Sequence, residues 1–437
     1  MRCREPVACA LFVAALSGCG AQGLGGRPDG APADGVDLAT GISPGPGPDL
    51  AGGGMPDLAP LAPNVVPITI DAGPTGAMFS SYNVPFISIQ LCAPGTSTCQ
   101  TIDHVAVDTG SVGLRVLSSV LSPALAAALP ALHDGHGDPL AECYTFADGY
   151  VWGAVRSADL SLGGEHVAGL ALQVIGDPAL PTVPKACKDT GTAEDTLDAF
   201  GSNAIIGLGN YAPDCGDLCE DASQFGDGWQ YYGCANAGSC AQVTVPQAQQ
   251  LQNPVALLPV DNNGVLLQLP TVGDDGAAGA AGVLVLGIGT QTNNALGGAT
   301  LFPIGDEDSD GSITVKFGGS TLVDGYFDSG TTDFSFDDAA LPACMGDFAG
   351  WDCPAAPLDL TAQNVDGGGT AHAVTFHVAS AMTLLASDVD TAFDDIASPV
   401  GDRSTFIWGL PFFYGRSVFT AIAGRTTPGG PGPYFAY

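Results

Sequence analysis

Positively charged residues are scarce in this 437-residue sequence, in which 11 Lys and Arg stand against 46 Asp and Glu and give a formal net charge of −35. A surface of that charge repels nucleic-acid phosphates and anionic lipid headgroups. We therefore expect no nucleic-acid partner and no charge-driven binding to a membrane. Such acidity first of all keeps a protein soluble, so it points to no particular activity.

Long apolar runs and helical periodicity are also scarce. The one extended apolar run, from Val7 to Leu16, follows Arg2 and Arg4, which is the pattern of a secretory signal. No later run approaches the length of a transmembrane helix. Short alternating apolar runs separated by many of the 62 Gly and 33 Pro fill the rest of the chain. This combination predicts an all-β protein.

The signal ends in Leu16-Ser17-Gly18-Cys19, which looks like a bacterial lipobox. We expect residues 1–18 to be a lipoprotein signal peptide and Cys19 to carry the lipid; an ordinary signal with a chance Cys is the alternative. Residues 19–63 are rich in Gly, Pro, Ala and Asp and predict a disordered tether. The expected location is the bacterial cell envelope, at the outer membrane or cell surface, with the N-terminal lipid as the only membrane contact.

The cysteine count predicts disulfides. Cys3 and Cys9 leave with the signal and Cys19 carries lipid, so 13 − 3 = 10 cysteines remain, and an even number in an exported chain predicts five bonds. Close spacing predicts three of them: Cys92 with Cys99, Cys234 with Cys240, and Cys344 with Cys353. Three pairings stay open for the remaining four, Cys143, Cys187, Cys215 and Cys219. The region 215–240 lacks paired zinc knuckles and a nearby His, so we expect no metal.

Two stretches share a plan in which an apolar strand ends at an Asp on a glycine-bearing turn. One reads Asp108-Thr109-Gly110-Ser111 after Val105–Val107, and the other reads Asp328-Ser329-Gly330-Thr331 after an apolar pair. A turn of this kind at a strand tip holds a carboxylate in a fixed place, which chemistry requires. A third copy, at 189–192, has no strand beside it in the pattern and is interpreted as a loop.

Each Asp turn is followed by two apolar residues and a glycine. Gly207 lies 207 − 108 = 99 residues after the first Asp, and Gly409 lies 409 − 328 = 81 residues after the second. A glycine at this place lets two backbones approach closely. The chain thus repeats one plan, and we predict an N-terminal lobe at 64–275 and a C-terminal lobe at 276–437.

These paired Asp turns resemble the signature of the pepsin-like aspartic proteases, and the resemblance covers about residues 65–437. The chain also looks like a set of uncharacterised exported bacterial proteins that share the Asp-Thr-Gly-Ser…Gly-Leu-Arg run. The resemblance implies an all-β, bilobal pepsin-like fold with a cleft between two β-lobes. It implies a catalytic dyad, Asp108 and Asp328, that hydrolyses peptide bonds with an activated water.

The resemblance also implies roles around the dyad. Hydroxyls would lock the two turns together or bind the outer carboxylate oxygens, and glycines would permit the turns; these residues are Thr109, Gly110, Ser111, Ser329, Gly330 and Thr331. It implies a monomer with a polypeptide substrate or ligand in the inter-lobe cleft, and neither a metal nor an organic cofactor.

Three positions depart from the family pattern. Arg115 stands where the family usually has a Trp that supports a Tyr on the flap, the hairpin that covers the substrate. The position of that Tyr falls on Phe146, and Tyr144 becomes the flap candidate if the hairpin register differs. Asp333 stands where the family is usually apolar. A cation near the dyad would lower its pKa values, and an extra carboxylate would raise them.

These departures leave two functions open. The leading hypothesis is an aspartic endopeptidase, and the alternative is a catalytically inactive pepsin-fold surface protein that binds polypeptides. An unrelated β-sandwich adhesin is a third interpretation. Residues 306–311 resemble the first half of a calcium loop, but the twelfth position is Phe317 and not Glu, so we predict an acidic turn there.

Overall fold

The computed structural model describes residues 61–437 apart from residues 148, 227, 306–311 and 388. The predicted signal peptide, the lipidation site Cys19, nearly all of the tether and the acidic turn at 306–311 lie outside the described residues. Across the described part of the chain, strands predominate and helices are few and short.

Twelve strands of the described residues lie before residue 270. They are β1 (Val65–Ile70), β2 (Phe86–Cys92), β3 (Cys99–Asp108), β4 (Val112–Leu117), β5 (Leu140–Thr145), β6 (Gly149–Leu162), β7 (Glu165–Ile175), β8 (Thr192–Ala193), β9 (Ala204–Leu208), β10 (Tyr231–Asn236), β11 (Ser239–Gln242) and β12 (Gly264–Gln268).

Thirteen further strands of the described residues lie after residue 279. They are β13 (Ala280–Leu286), β14 (Leu301–Pro303), β15 (Ile313–Phe317), β16 (Ser320–Phe327), β17 (Phe334–Phe336), β18 (Leu358–Val365), β19 (Ala371–Val378), β20 (Ala397–Ser398), β21 (Thr405–Trp408), β22 (Ser417–Ala421), β23 (Thr426–Thr427), β24 (Gly430–Pro431) and β25 (Tyr434–Ala436).

Helices serve as short connectors. The α-helices are α1 (Pro123–Ala128), α2 (Lys185–Lys188), α3 (Leu197–Phe200), α4 (Ala381–Leu384) and α5 (Leu410–Phe413). The 3-10 helices are Gly216–Glu220, Ala222–Gln224, Gln247–Gln249, Pro254–Leu257, Thr292–Asn294 and Gly346–Phe348. No helix among the described residues has the length and apolar character that a membrane span requires.

Two large sheets carry the two Asp turns. A sixteen-stranded sheet runs in the order β11-β10-β5-β6-β7-β4-β9-β3-β2-β1-β13-β12-β22-β25-β14, with β8 beside β6, and it carries Asp108 at the end of β3. A seven-stranded sheet runs β19-β18-β15-β16-β21-β17-β20, and Asp328 follows its strand β16. The predicted all-β fold with two lobes is thereby confirmed. The boundary at residue 275 stays a prediction, since the larger sheet takes strands from both sides of it.

The strand order around each Asp turn is the same. Strand β9 lies between β3 and β4, parallel to the first and antiparallel to the second. Strand β21 lies between β16 and β17 with the same two directions. In each sheet a later segment of the chain is therefore inserted between the strand that leads to the Asp and the strand that leaves it. This is the internal repeat that the apolar-apolar-Gly segments predicted.

Glycine makes this insertion sterically possible. A methyl group added at Gly207 would lie 2.5 Å from the Val112 nitrogen, and one added at Gly409 would lie 2.7 Å from the Thr331 carbonyl oxygen. Contacts that short do not occur between real side chains and backbone, so both positions require the absence of a side chain.

The core beneath the two turns differs between the sheets. Aliphatic β-branched residues, among them Val105 and Val107, lie fully buried before Asp108. Before Asp328 the core is aromatic: the ring of Phe327 lies 4.8 Å from that of Phe412 and 5.2 Å from that of Phe435, between ring centroids. The aliphatic core and the aromatic core each bury the strand that leads to the Asp. Close packing of that strand fixes the position of the Asp carboxylate.

The described residues contain five disulfides, four of which close loops of fewer than ten residues. The three predicted from close spacing, Cys92–Cys99, Cys234–Cys240 and Cys344–Cys353, are present. The pairing that the sequence left open is Cys143–Cys187 together with Cys215–Cys219. Cys143 lies in β5, so its bond ties that strand to helix α2.

Candidate active site

The first Asp turn binds its own carboxylate. The backbone N–H of Gly110 donates to Asp108 Oδ1 at 2.7 Å, and the Ser111 hydroxyl donates to Asp108 Oδ2. Asp108 is only 3% exposed. Because both oxygens accept a hydrogen bond within the turn, the carboxyl group has a fixed orientation.

The second Asp turn repeats these bonds. The backbone N–H of Gly330 donates to Asp328 Oδ1 at 2.8 Å, and the Thr331 hydroxyl donates to Asp328 Oδ2 at 2.8 Å. Asp328 is 1% exposed. The hydroxyl residue at the fourth position of each turn therefore binds an oxygen of the Asp in its own turn.

Reciprocal hydrogen bonds join the two turns. The Thr109 hydroxyl accepts from the Ser329 N–H at 3.0 Å and donates to the Phe327 carbonyl at 3.1 Å. The Ser329 hydroxyl accepts from the Thr109 N–H at 3.1 Å and donates to the Val107 carbonyl at 2.8 Å. Each hydroxyl uses its donor and its acceptor on the opposite turn, so two segments 220 residues apart are held in one register.

The two carboxyl groups lie together in the space that the turn glycines leave. A methyl group added at Gly110 would lie 2.7 Å from Asp328 Oδ2, and one added at Gly330 would lie 2.7 Å from Asp108 Oδ1. Each carboxyl thus lies against the glycine of the opposite turn. Any side chain at either glycine would displace a carboxyl group.

Burial and the neighbouring acid disfavour a doubly ionised pair. Burial, followed by the charge of Asp108 and a hydrogen bond with it, raises the pKa of Asp328 well above its usual range. The hydrogen bonds from Thr331 and Gly330 oppose this rise but do not cancel it. Two acids so close titrate as a unit, and one proton stays between them where an exposed Asp would have lost it.

The structure distinguishes the two flap candidates. Thr145 pairs with Tyr150 across the β5–β6 hairpin, and the N–H of Phe146 donates to the Gly149 carbonyl at 2.8 Å in the turn. Phe146 is 2% exposed and packs in an apolar cluster with Phe200. Tyr144 instead stacks on Arg115, and the charge of Asp108 contributes to the rise of its pKa, after burial. Of the two flap candidates, Tyr144 is thus the one whose ring contacts Arg115, and which of them acts as a flap residue stays a prediction.

Arg115 does not leave its positive charge free. It is fully buried and pairs with Glu142 at 2.7 Å and with Asp214 at 2.9 Å. Sequence reasoning identified neither acid, because Asp214 lies in a loop 99 residues from the arginine and no motif surrounds it. Glu142 does carry a weak signal, since it precedes Tyr144 by two positions and so shares a face of β5 with it.

Asp333 is fully buried beside the second turn. Its Oδ1 accepts hydrogen bonds from the hydroxyls of Ser335 at 2.6 Å and Ser398 at 2.9 Å, and its Oδ2 has no hydrogen-bond partner. Burial raises the pKa of Asp333 to about 6, although the two serines lower it. Asp333 is therefore neutral at acidic pH. Above a pH of about 6 its buried negative charge destabilises the fold.

The third tetrad is not part of the site. Asp189 is exposed at the end of α2 and pairs with Lys185. Thr192 does enter the two-residue strand β8, which pairs with β6 and which the sequence did not predict. The interpretation of Asp189 as a loop residue agrees with this placement.

Comparison with known proteins gives a family. A family model described as "Protein of unknown function (DUF3443)" matches residues 60–437. The chain belongs to this family. The DUF3443 match spans both Asp turns and all strands named above, and no curated protein sequence matches the chain.

Solved structures also match the chain, and an aspartic proteinase is one example. The crystal structure of an aspartic proteinase from Irpex lacteus is 14% identical in sequence, with a TM-score of 0.45. The likeness covers 85% of this DUF3443 chain and 96% of that protein. A likeness at this identity and score carries no information on activity.

We predict that Asp333→Asn stabilises the protein at neutral pH and not at acidic pH. The folded-state pKa of Asp333 is about 6 against 3.8 for the ordinary group, so its favourable contribution is complete below pH ~4 and is lost as the pH rises through ~6. A difference of 6 − 3.8 pKa units corresponds to about 3 kcal/mol. Denaturant unfolding at pH 4 and pH 7.5 measures the gain.

An exposed acid in the same half of the chain provides the control. Asp347→Asn should change the free energy of unfolding by less than about 0.5 kcal/mol at either pH, since Asp347 is exposed. An equal effect of Asp333→Asn at both pH values would contradict the assignment of a buried, titrating Asp333.

Proposed function

We propose that this protein is an exported, lipid-anchored aspartic endopeptidase that hydrolyses peptide bonds with the dyad of Asp108 and Asp328. One observation carries the proposal: two carboxyl groups from repeated turns are buried in mutual contact and are fixed by hydrogen bonds from both turns. A single capping Asp would need none of this second-turn geometry.

The supporting groups give each carboxyl a defined role. Gly110 and Ser111 hold the oxygens of Asp108, and Gly330 and Thr331 hold those of Asp328. The proton kept by the pair leaves one acid and one carboxylate at acidic pH. A neutral acid and a carboxylate side by side are the two groups that general acid–base hydrolysis needs.

In the proposed reaction a water bound between the carboxyls loses a proton to the carboxylate as its oxygen attacks the peptide carbonyl carbon. The protonated carboxyl donates its proton to the carbonyl oxygen, which gives a tetrahedral diol. The C–N bond then breaks, the amine nitrogen takes the proton that the first step removed, and the diol hydroxyl returns its proton to the dyad. The acid and the carboxylate are restored, and no cofactor enters the balance.

The pairing of the buried Arg115 charge with carboxyl groups supports an active dyad rather than a disabled one. The sequence left open that Arg115 would act on the dyad as a free cation, but its guanidinium is bound by two carboxyl groups. Asp333 is likewise held by two serines. Neither departure from the family pattern removes a group from the two Asp turns.

We predict that Asp108→Asn and Asp328→Asn each abolish cleavage. The purified protein would be incubated with a denatured protein mixture from pH 3 to 7, and fragments would be counted by mass spectrometry. Wild type should cleave best at acidic pH, where the dyad keeps its proton, and each substitution should lower the rate at least ~10³-fold because the acid–carboxylate pair is lost.

Asp347→Asn alters an exposed acid outside both Asp turns, serves as the matched control and should cleave like wild type. Cleavage that survives both dyad substitutions would contradict the proposal. A well-folded wild type that cleaves nothing at any pH would favour the alternative, a surface protein that binds polypeptides in the cleft.

The proposed location rests on the N-terminal sequence alone. Residues 1–18 would be removed and Cys19 would anchor the chain by lipid in the bacterial cell envelope, with residues 19–63 as a tether. We predict that Cys19→Ser moves the protein from the membrane fraction to the soluble exported fraction. Intact-mass analysis should show loss of the acyl mass, and a wild type without added lipid would contradict the prediction.

A further inference from the structure

A buried cluster of charged side chains lies behind Tyr144. We call Arg115, Glu142, Asp214 and Tyr144 the arginine cluster. The guanidinium of Arg115 donates to Glu142 Oε1 at 2.7 Å and Oε2 at 3.3 Å, and to Asp214 Oδ2 at 2.9 Å. The side chains of Arg115, Glu142 and Asp214 are all 0% exposed.

The cluster joins four elements of the fold. Arg115 comes from β4, Glu142 and Tyr144 come from β5, and Asp214 comes from the loop after β9. The Tyr231 hydroxyl of β10 donates to Asp214 Oδ1 at 2.7 Å and accepts from the Leu251 N–H at 2.7 Å. The ordering of so many elements around one guanidinium indicates a rigid support.

One face of the guanidinium carries the tyrosine ring. The Arg115 guanidinium carbon lies 3.5 Å from the centroid of the Tyr144 ring, within the range of a cation–π contact. Because the guanidinium is planar, it can stack on the ring while its edge donates to the carboxylates. A Lys at this position could make neither the flat stack nor the fork of hydrogen bonds.

The charges of the cluster nearly cancel. Two carboxyl groups face one cation, and burial followed by the charge of Glu142 raises the pKa of Asp214 well above its usual range. A proton retained there leaves a neutral cluster. Burial of the arginine therefore places no uncompensated cation next to the dyad.

The arginine cluster also adjoins the first Asp turn, since Arg115 Nη1 donates to the carbonyl of Val112, the residue after Ser111, at 2.7 Å. The pKa of Tyr144 is raised by burial first, and the carboxylates of Asp108, Asp214 and Glu142 add to the rise while Arg115 opposes it. The phenol therefore stays protonated, and its ring lies against the guanidinium. The position of the Tyr144 ring therefore depends on the Arg115 guanidinium against which it packs.

We propose that Arg115 is a positioning residue that holds the Tyr144 ring next to the first Asp turn through the cation–π stack, while Glu142 neutralises its charge and Asp214 binds its free edge. The inference rests on the proposed endopeptidase for its kinetic consequence, but the placement of Tyr144 can be measured without activity. Arg115 acts through Tyr144 and touches no reacting atom.

The test is a double-mutant cycle. Arg115→Lys should lower kcat/KM for peptide cleavage roughly 10- to 100-fold, because small displacements of a group at the reacting centre cost that much. In a Tyr144→Ala background, Arg115→Lys should cost less than about 2-fold more, since its effect passes through the missing ring. Equal losses in both backgrounds would overturn the proposal.

A spectroscopic readout separates this inference from the proposed function. With fluorotyrosine incorporated and the Tyr144 signal assigned by Tyr144→Phe, Arg115→Lys should shift that ¹⁹F resonance and raise its exposure to solvent. An unchanged resonance would overturn the proposal. A wild type that cleaves nothing would defeat the endopeptidase proposal, while the resonance would still decide the placement of Tyr144.

Two further variants keep the test decisive. Arg156→Lys alters another arginine of the same sheet, paired with Asp177 at 2.6 Å, and should leave the Tyr144 resonance and kcat/KM unchanged. Should Arg115→Lys fail to fold, Arg115→Met with Glu142→Gln removes one cation and one carboxylate together and avoids an unpaired buried charge. This pair should shift the resonance in the same way, and a wild-type resonance would again overturn the proposal.

Discussion

The reciprocal hydrogen bonds of Thr109 and Ser329 are the constraint on which the site depends. Each hydroxyl crosses to the opposite turn and satisfies one N–H and one carbonyl there. Loss of one hydroxyl would leave two buried backbone groups without partners, which costs more than the bonds themselves contribute. Because these bonds set the distance between the turns, they also set the contact between Asp108 and Asp328.

Several buried acids of the protein, one of the dyad among them, stabilise the fold at acidic pH. Burial raises the pKa of Asp328, of Asp333 to about 6 and of Asp352 to about 7. Groups with a raised folded-state pKa stabilise a fold at low pH and cease to do so as the pH rises through that value. Burial therefore has two effects at acidic pH: it keeps one proton on the dyad, and it lets the buried acids stabilise the fold in their neutral form. Stability and the proposed chemistry share one pH range.

Local patterns predicted the Asp turns and the inserted strands, because both depend on short segments with glycine at fixed places, such as Gly207. The sequence could not assign Glu142 and Asp214 to Arg115, because their contact depends on the register of β5 and on a distant loop. It could not decide between Tyr144 and Phe146 either, since positions two apart share a face of a strand and the two rings pack together, 4.9 Å apart between centroids. Only the contact of Tyr144 with Arg115 separates them. Long-range contacts between charged residues leave no periodic trace in a sequence.

The central claim is that Asp108 and Asp328 share one proton. Carbon-13 NMR of the aspartate carboxyl groups across pH 2 to 9, assigned with Asp328→Asn, measures this most directly. The account predicts that the pair titrates in two steps, that the upper step lies well above the ordinary value of about 3.9, and that Asp328→Asn removes it. Two independent titrations near that ordinary value would contradict the shared proton and with it the proposed chemistry.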